Sequence, residues 1–211
     1  MTNQIRGFLI ERGITVRQGL TPLRRALPEI LSATSGPLSP RTVALIADVV
    51  ADWRRLDERI ATVSSDIEAL AERDDSCQRL MTVPGIGPVI SSAVVAAIGN
   101  GAGFKQGRDF GAWLGLVPRQ ESTGDRVVLG KISKCGNKYL RTLFVQAAHV
   151  VLVRRPGTAR RGLWPWIVRA AKRLHRNMLV IALANKLARI AWAVLARGHA
   201  YQPRTAVDAA A

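Results

Sequence analysis

Residues 40–70, PRTVALIADVVADWRRLDERIATVSSDIEAL, decide how the chain is organised. Ser39-Pro40 supplies a capping hydroxyl and a first-position proline, the expected start of a helix. Ile46, Val49, Trp53, Leu56, Ile60, Val63, Ile67 and Leu70 then recur at spacings of 3, 4, 3, 4, 3, 4 and 3. That is an unbroken a/d heptad seam. At about 1.5 Å per residue, a helix over 40–72 would span roughly 50 Å, enough for a dimer arm. The narrow stripe suits a helical partner, either a second copy of the chain or an earlier helix folded back; an ordinary bundle helix is the plainer alternative.

Upstream, residues 3–12 form a short amphipathic helix candidate ended by Gly13, and Thr21-Pro22 opens another that ends near Leu31. The turn-rich segment SATSGPLS, 32–39, separates it from the long helix. Residues 1–75 therefore read as connector helices and a coiled-coil dimerisation arm. This part is electrically neutral: residues 1–80 hold 11 acidic and 11 basic side chains. The formal charge of +16 comes from 81–211, where 20 basic residues face 4 acidic ones, and no acid occurs between Arg126 and Arg204. Such a segment points to nucleic acid, because neutralising phosphates releases counterions; an anionic membrane surface is the competing target.

Downstream of the arm, LMTVPGIGPV, 80–89, sets two glycines and two prolines between apolar segments, with a helix candidate over 89–98. The pattern resembles the turn of helix-hairpin-helix modules, in which backbone N–H groups at a helix start hold a phosphate. Gly85 and Gly87 are the candidates. Phe104 to Leu116 gives another helix, with Phe110, Trp113 and Leu114 as core. The stretch PRQESTGDRVVLGKISKCGNKYLR, 118–141, then surrounds a Ser-Thr-Gly turn with Arg119, Arg126, Lys131, Lys134, Lys138 and Arg141. A surface loop of a basic protein would look similar, since Ser, Thr, Gly and Asp favour turns on backbone grounds.

Arg154-Arg155 and Arg160-Arg161 bracket a Pro-Gly turn, and Trp164-Pro165-Trp166 opens a helix bearing Arg169, Lys172, Arg173 and Arg176. Arginines beside aromatics can grip RNA or single strands by stacking and charge; alternatively both tryptophans are core. Met178 to Ala196 is apolar but broken by Asn185, Lys186 and Arg189, which favours a buried amphipathic helix over a membrane span. The N-terminus has no signal-peptide pattern, so the expectation is a cytoplasmic protein with no membrane partner. Cys77 and Cys135 lack companions at ligand spacing, so neither a disulfide framework nor a zinc site is expected. His149, His175 and His199 are scattered over helices. Residues 201–211 read as a disordered tail.

Three runs carry a family resemblance: VPGIGPVISSAVVAAIG (83–99), FGAWLGLVPRQESTG (110–124) and LGKISKCGNKYLRTLFVQAA (129–148). In that order they resemble the C-terminal transposase domain of the Piv/MooV-like insertion-sequence transposases, the IS one-ten group and its IS eleven-eleven branch. The resemblance implies a mainly α chain: a helical arm with a long coiled-coil helix, then a helical DNA-binding domain over 76–200 containing the helix-hairpin-helix-like motif and a serine-bearing loop. It implies Ser122 as the nucleophile that attacks the scissile phosphate, with Thr123 the secondary reading of the same turn. Arg119, Arg126, Lys131, Lys134, Lys138, Arg141, Arg169 and Arg173 become nucleic-acid contacts.

Full-length members begin with a RuvC-like domain whose four acidic residues hold divalent metal. The resemblance implies that this domain is missing here, so Mg²⁺ is expected only together with it and no cofactor in this chain. The expected function is that of a truncated transposase acting at the nucleoid, a serine recombinase guided by a bridge RNA and inactive alone. Its expected partners are DNA, the bridge RNA and further copies of the chain. The alternatives are a catalytically inactive DNA- or RNA-binding fragment, or a generic helix-hairpin-helix binder.

Overall fold

Apolar residues spaced for helices dominate the sequence, and helices dominate the structure. The computed structural model describes residues 1–32, 36–123, 126–153 and 162–203. Among these the chain is mainly helical, with one two-stranded sheet. It divides into two compact units, Met1–Ser65 and Asp66–Ala211. Both arginine pairs and the Pro-Gly turn between them, 154–161, and residues 204–211 lie outside the described residues.

The first unit contains α1 (Thr2–Ile10), α2 (Leu20–Ser32) and the larger part of α3 (Pro40–Arg73). The Ser39 hydroxyl accepts a hydrogen bond from the Thr42 amide at 3.2 Å, so α3 starts as its cap sequence predicts. Ile5 and Leu9 of α1, Leu23 and Leu27 of α2, and Ile46, Val50 and Trp53 of α3 form its core. The beginning of the heptad seam is thus occupied by earlier helices folded back. Past Trp53 the stripe opens to solvent: Leu56 is 46% exposed, Ile60 63% and Val63 49%. Arg24 lies over the Trp53 ring, 5.1 Å from its centroid, and pairs with Asp57.

The second unit begins with the end of α3, then α4 (Asp75–Met81), capped by the Asp74 carboxylate, which accepts from the Cys77 amide at 2.8 Å. A tight turn leads into α5 (Pro88–Ile98), with Gly87 as N-cap and Pro88 in the first turn. The helix expected from Phe104 is shorter, α6 (Gly107–Trp113), because Gln106 and Asp109 form a capping box that starts it at Gly107. After the sheet come α7 (Lys138–Val153), α8 (Trp164–Ala171) and α9 (Arg176–Arg197). The helix opened by Trp164 does not run through to Arg176: α8 ends with Lys172 as its C-cap, and α9 starts anew where the His175 imidazole accepts from the Asn177 amide.

The core of this unit is built on α9, which packs against α4, α6, α7 and α8. Leu179, Val180, Leu183, Ala184, Leu187, Ala188, Ala191, Val194 and Leu195 are its buried residues. They meet Leu80, Val94, Phe110, Leu114, Leu140, Phe144 and Ile167 in one cluster. Helix α9 is long and apolar enough to cross a membrane by length and composition, yet half of that window is buried within the unit. Tyr201, at the start of the expected tail, packs on this core and donates its amide to the Thr82 hydroxyl at 2.8 Å.

Gly85 has a packing reason to be glycine. Its φ is +85°, and a Cβ there would lie 2.8 Å from both the Ala147 carbonyl oxygen and Val151 Cγ2, whereas a Cβ at Gly87 would meet nothing within 4 Å. Gly85→Ala is therefore expected to cost about 1–3 kcal/mol and Gly87→Ala less than about 1 kcal/mol, measured by urea denaturation of the full chain. Equal costs would contradict this account.

Candidate functional site

The serine-bearing stretch, expected as a loop, is an antiparallel hairpin of β1 (Pro118–Thr123) and β2 (Arg126–Ile132). Val127, Val128 and Leu129 favour a pleated strand, and Gly124-Asp125 between the strands lies outside the described residues. Every residue of β1 is exposed, as is all of β2 except Ile132.

Register determines what surrounds Ser122. It pairs with Val127, Gln120 with Leu129, Glu121 with Val128 and Thr123 with Arg126. Opposed residues share a face and alternate residues along a strand do too. Gln120, Ser122, Val127 and Leu129 therefore occupy one face. Glu121, Thr123, Arg126 and Val128 occupy the other. Arg119 joins this second face, because Gly130 comes nearest to Arg119 Cβ across the ladder. The ladder slips by one residue between Gln120 and Pro118, so Gly130 and Lys131 both stand opposite Arg119 and Lys131 does not continue the serine's face. Arg119 and Arg126 stand behind the serine, and Lys134 lies beyond the strand at φ +56°.

The Ser122 hydroxyl accepts a hydrogen bond from Gln120 Nε2 at 2.9 Å. A primary amide can orient the hydroxyl but cannot take its proton, so activation of an attacking oxygen would need a base from elsewhere. Gln120 was not singled out from the sequence, although its position two residues before Ser122 is the strand-period signal for a shared face. Among its described residues this face carries no carboxylate, the charged oxygen ligand of divalent cations. Among the described residues no cluster of three His, Cys, Asp or Glu could hold a metal. Asp109 is engaged in its capping box, and Glu121 belongs to the opposite face.

The roots of the hairpin are tightly built. Ser133 donates its amide to the Val117 carbonyl at 2.8 Å and Lys134 to that of Gly115 at 3.1 Å. Arg141 Nη1, from α7, donates to the Leu114 carbonyl at 2.9 Å and the Cys135 carbonyl at 3.1 Å. Asn185 Nδ2, from α9, donates to the Leu116 carbonyl at 3.2 Å. Arg141, expected as a phosphate contact, is thus engaged in the root, and Asn185 appeared in the sequence only as a polar break in an apolar helix.

The remaining candidates lie on other elements. Lys138 is exposed in the first turn of α7; Arg169 is exposed on α8, and Arg173 follows that helix. Trp164 is 40% exposed, whereas Trp166 packs on the core with Lys186 Nζ 4.9 Å from its ring centroid.

Comparison with known proteins adds relatives to this geometry. Residues 77–163 match the model of a transposase family described as "Transposase IS116/IS110/IS902 family". The chain is 40% identical over 204 residues to a probable family 20 transposase of Pseudomonas aeruginosa, covering 96% of this chain and 60% of that protein. It is 39% identical to the transposase for insertion sequence element IS1328 of Yersinia enterocolitica, covering 95% of this chain and 59% of the relative. It is 35% identical to the transposase for IS1111A of Coxiella burnetii, with 96% and 55% covered. By these matches the chain is similar to insertion-sequence transposases and, over 77–163, to the IS116/IS110/IS902 transposase family. It spans about 60% or less of the length of these three relatives.

The two cysteines probe the environment of the root directly. Cys135 is exposed there, whereas Cys77 is buried and its thiol is pushed above the usual range by that burial and by the Asp74 carboxylate. Native protein at pH 8 should therefore release one equivalent of thiol rapidly with a chromogenic disulfide reagent, and a second only after denaturation. Labelling located by peptide mapping should fall on Cys135; rapid labelling of Cys77 would contradict the packing of α4.

Proposed function

We propose that this chain supplies the serine nucleophile and nucleic-acid grip for DNA strand exchange by an insertion sequence. The observation that carries the reading is the presentation of Ser122 on a solvent-exposed hairpin face, with Gln120 orienting its oxygen. Ser122 Oγ attacks the scissile phosphorus, an O–P bond forms, and the bond to one sugar oxygen breaks. The serine proton passes to a base outside these residues, and the departing sugar oxygen leaves protonated.

Exposed Arg119, Arg126, Lys131, Lys134, Lys138, Arg169 and Arg173 extend the grip along the nucleic-acid backbone. The Gly85 turn, with the α5 N-terminus at Gly87, is a further phosphate contact of helix-hairpin-helix type. The exposed seam of Leu56, Ile60 and Val63 supports pairing of α3 with α3 of a second copy as a coiled coil. Guidance by a bridge RNA, dependence on a metal-binding acidic domain and action at the nucleoid belong to the same proposal and rest on the family resemblance. A binding fragment without chemistry is the second reading, favoured by the lack of any proton acceptor hydrogen-bonded to Ser122 among the described residues.

The chain should be mixed with the acidic N-terminal domain of a full-length relative, Mg²⁺, element-end DNA and the element's RNA. A covalent protein–DNA adduct on a denaturing gel is expected. Ser122→Ala should abolish it and Thr123→Ala should leave it. An adduct that survives Ser122→Ala would remove the serine from its role, and no adduct with the unmodified chain would favour the binding fragment. In titrations of the chain alone with DNA, Lys131→Ala should reduce the slope of log K against log salt by about 1.

A further inference from the structure

The Ser122 hairpin has little except its roots to aim it. Neither strand packs broadly on a helix, and both are exposed along their length. A two-stranded ribbon of this kind is marginal by itself, so the direction in which it leaves the domain is decided where residues 114–117 enter it and 133–137 leave it.

Those two segments cross in backbone contact. Gly115 has φ +69°, and a Cβ on it would lie 2.2 Å from the Cys135 carbonyl oxygen. Gly136 has φ +80°, and a Cβ there would lie 1.8 Å from the Trp113 carbonyl oxygen. Two side chains lock the crossing. One nitrogen of Arg141 bonds a carbonyl on each segment, that of Leu114 on the way in and that of Cys135 on the way out. Leu114 is the C-cap of α6, where the carbonyls carry partial negative charge that a guanidinium complements. Asn185 ties the incoming segment at Leu116 to α9, the most buried helix of the unit. The Asn185 side chain also faces Gly111 of α6, where a Cβ would lie 3.0 Å from its Oδ1.

We propose that Arg141 and Asn185 are positioning residues that clamp the hairpin roots and hold Ser122 in its attacking direction. The role in attack rests on the proposed function of Ser122; the mechanical role does not. Loss of the clamp leaves the hairpin paired but free to swing, and misplacement of a reacting atom by about 1 Å can cost on the order of a hundredfold in rate.

Two measurements separate these parts. In a Cys77→Ala, Cys135→Ser background, spin labels are placed at Val128 on the hairpin and Met178 on α9, both exposed. Pulsed electron resonance should give a narrow distance distribution for this background. Arg141→Met and Asn185→Leu should each broaden it, with helical circular dichroism unchanged, and Arg141→Lys should restore most of the narrowness. If Arg141→Met does not fold, Asn185→Leu decides the question. An unbroadened distribution in the folded variants overturns the clamp, whether or not any adduct forms. Given an adduct with the unmodified chain, Arg141→Met should slow its formation at least tenfold while DNA affinity stays within about twofold. Equal rates would overturn the link from clamp to attack.

Discussion

Burial of one helix face governs the second unit. Helix α9 can be soluble only if Leu179, Val180, Leu183, Leu187, Val194 and Leu195 are covered, since each apolar side chain left in water costs about 1.5–3 kcal/mol relative to burial. α4, α6, α7 and α8 supply the cover. The constraint reaches the candidate site because Asn185, set into the same helix, donates to the Leu116 carbonyl at the hairpin root. A domain that packs well around α9 thereby also fixes the base from which Ser122 projects.

Electrostatics follows from the same division of labour. Beyond residue 80 acids are few: Asp109 closes the capping box of α6, and Glu121 stands on the hairpin face opposite Ser122. The cations therefore have little carboxylate competition, and their exposed side chains remain available to phosphate. Arg141 is different in kind. Its charge is directed at backbone carbonyls, which suits a planar group with several donors.

The helices were legible in the sequence wherever a local signal coincided with the pattern. Ser39-Pro40 started α3, Gly87-Pro88 started α5, and a/d spacing marked the buried face of α3 as far as Trp53. The hairpin was not legible. Polar and turn-forming residues dominate PRQESTGD, and the β-prone run Val127-Val128-Leu129 is too short to identify a strand without its partner. The break between α8 and α9 was missed because no glycine or proline marks residues 172–175. The separation of the hairpin's arginines from the serine was missed because proximity in sequence ignores the twofold alternation that sends Arg119 and Arg126 to the face opposite Ser122.

The sequence by itself determined the helical class, the charge asymmetry, the heptad seam and the similarity to transposases, because each resides in residue order or composition. Only the tertiary structure decided that the first part of the seam is filled by α1 and α2, that Gly85 is required by Ala147 and Val151, and that Arg141 and Asn185 hold the hairpin roots. These are contacts between residues up to 69 positions apart. No local preference encodes them, and they exist only once the helices have packed.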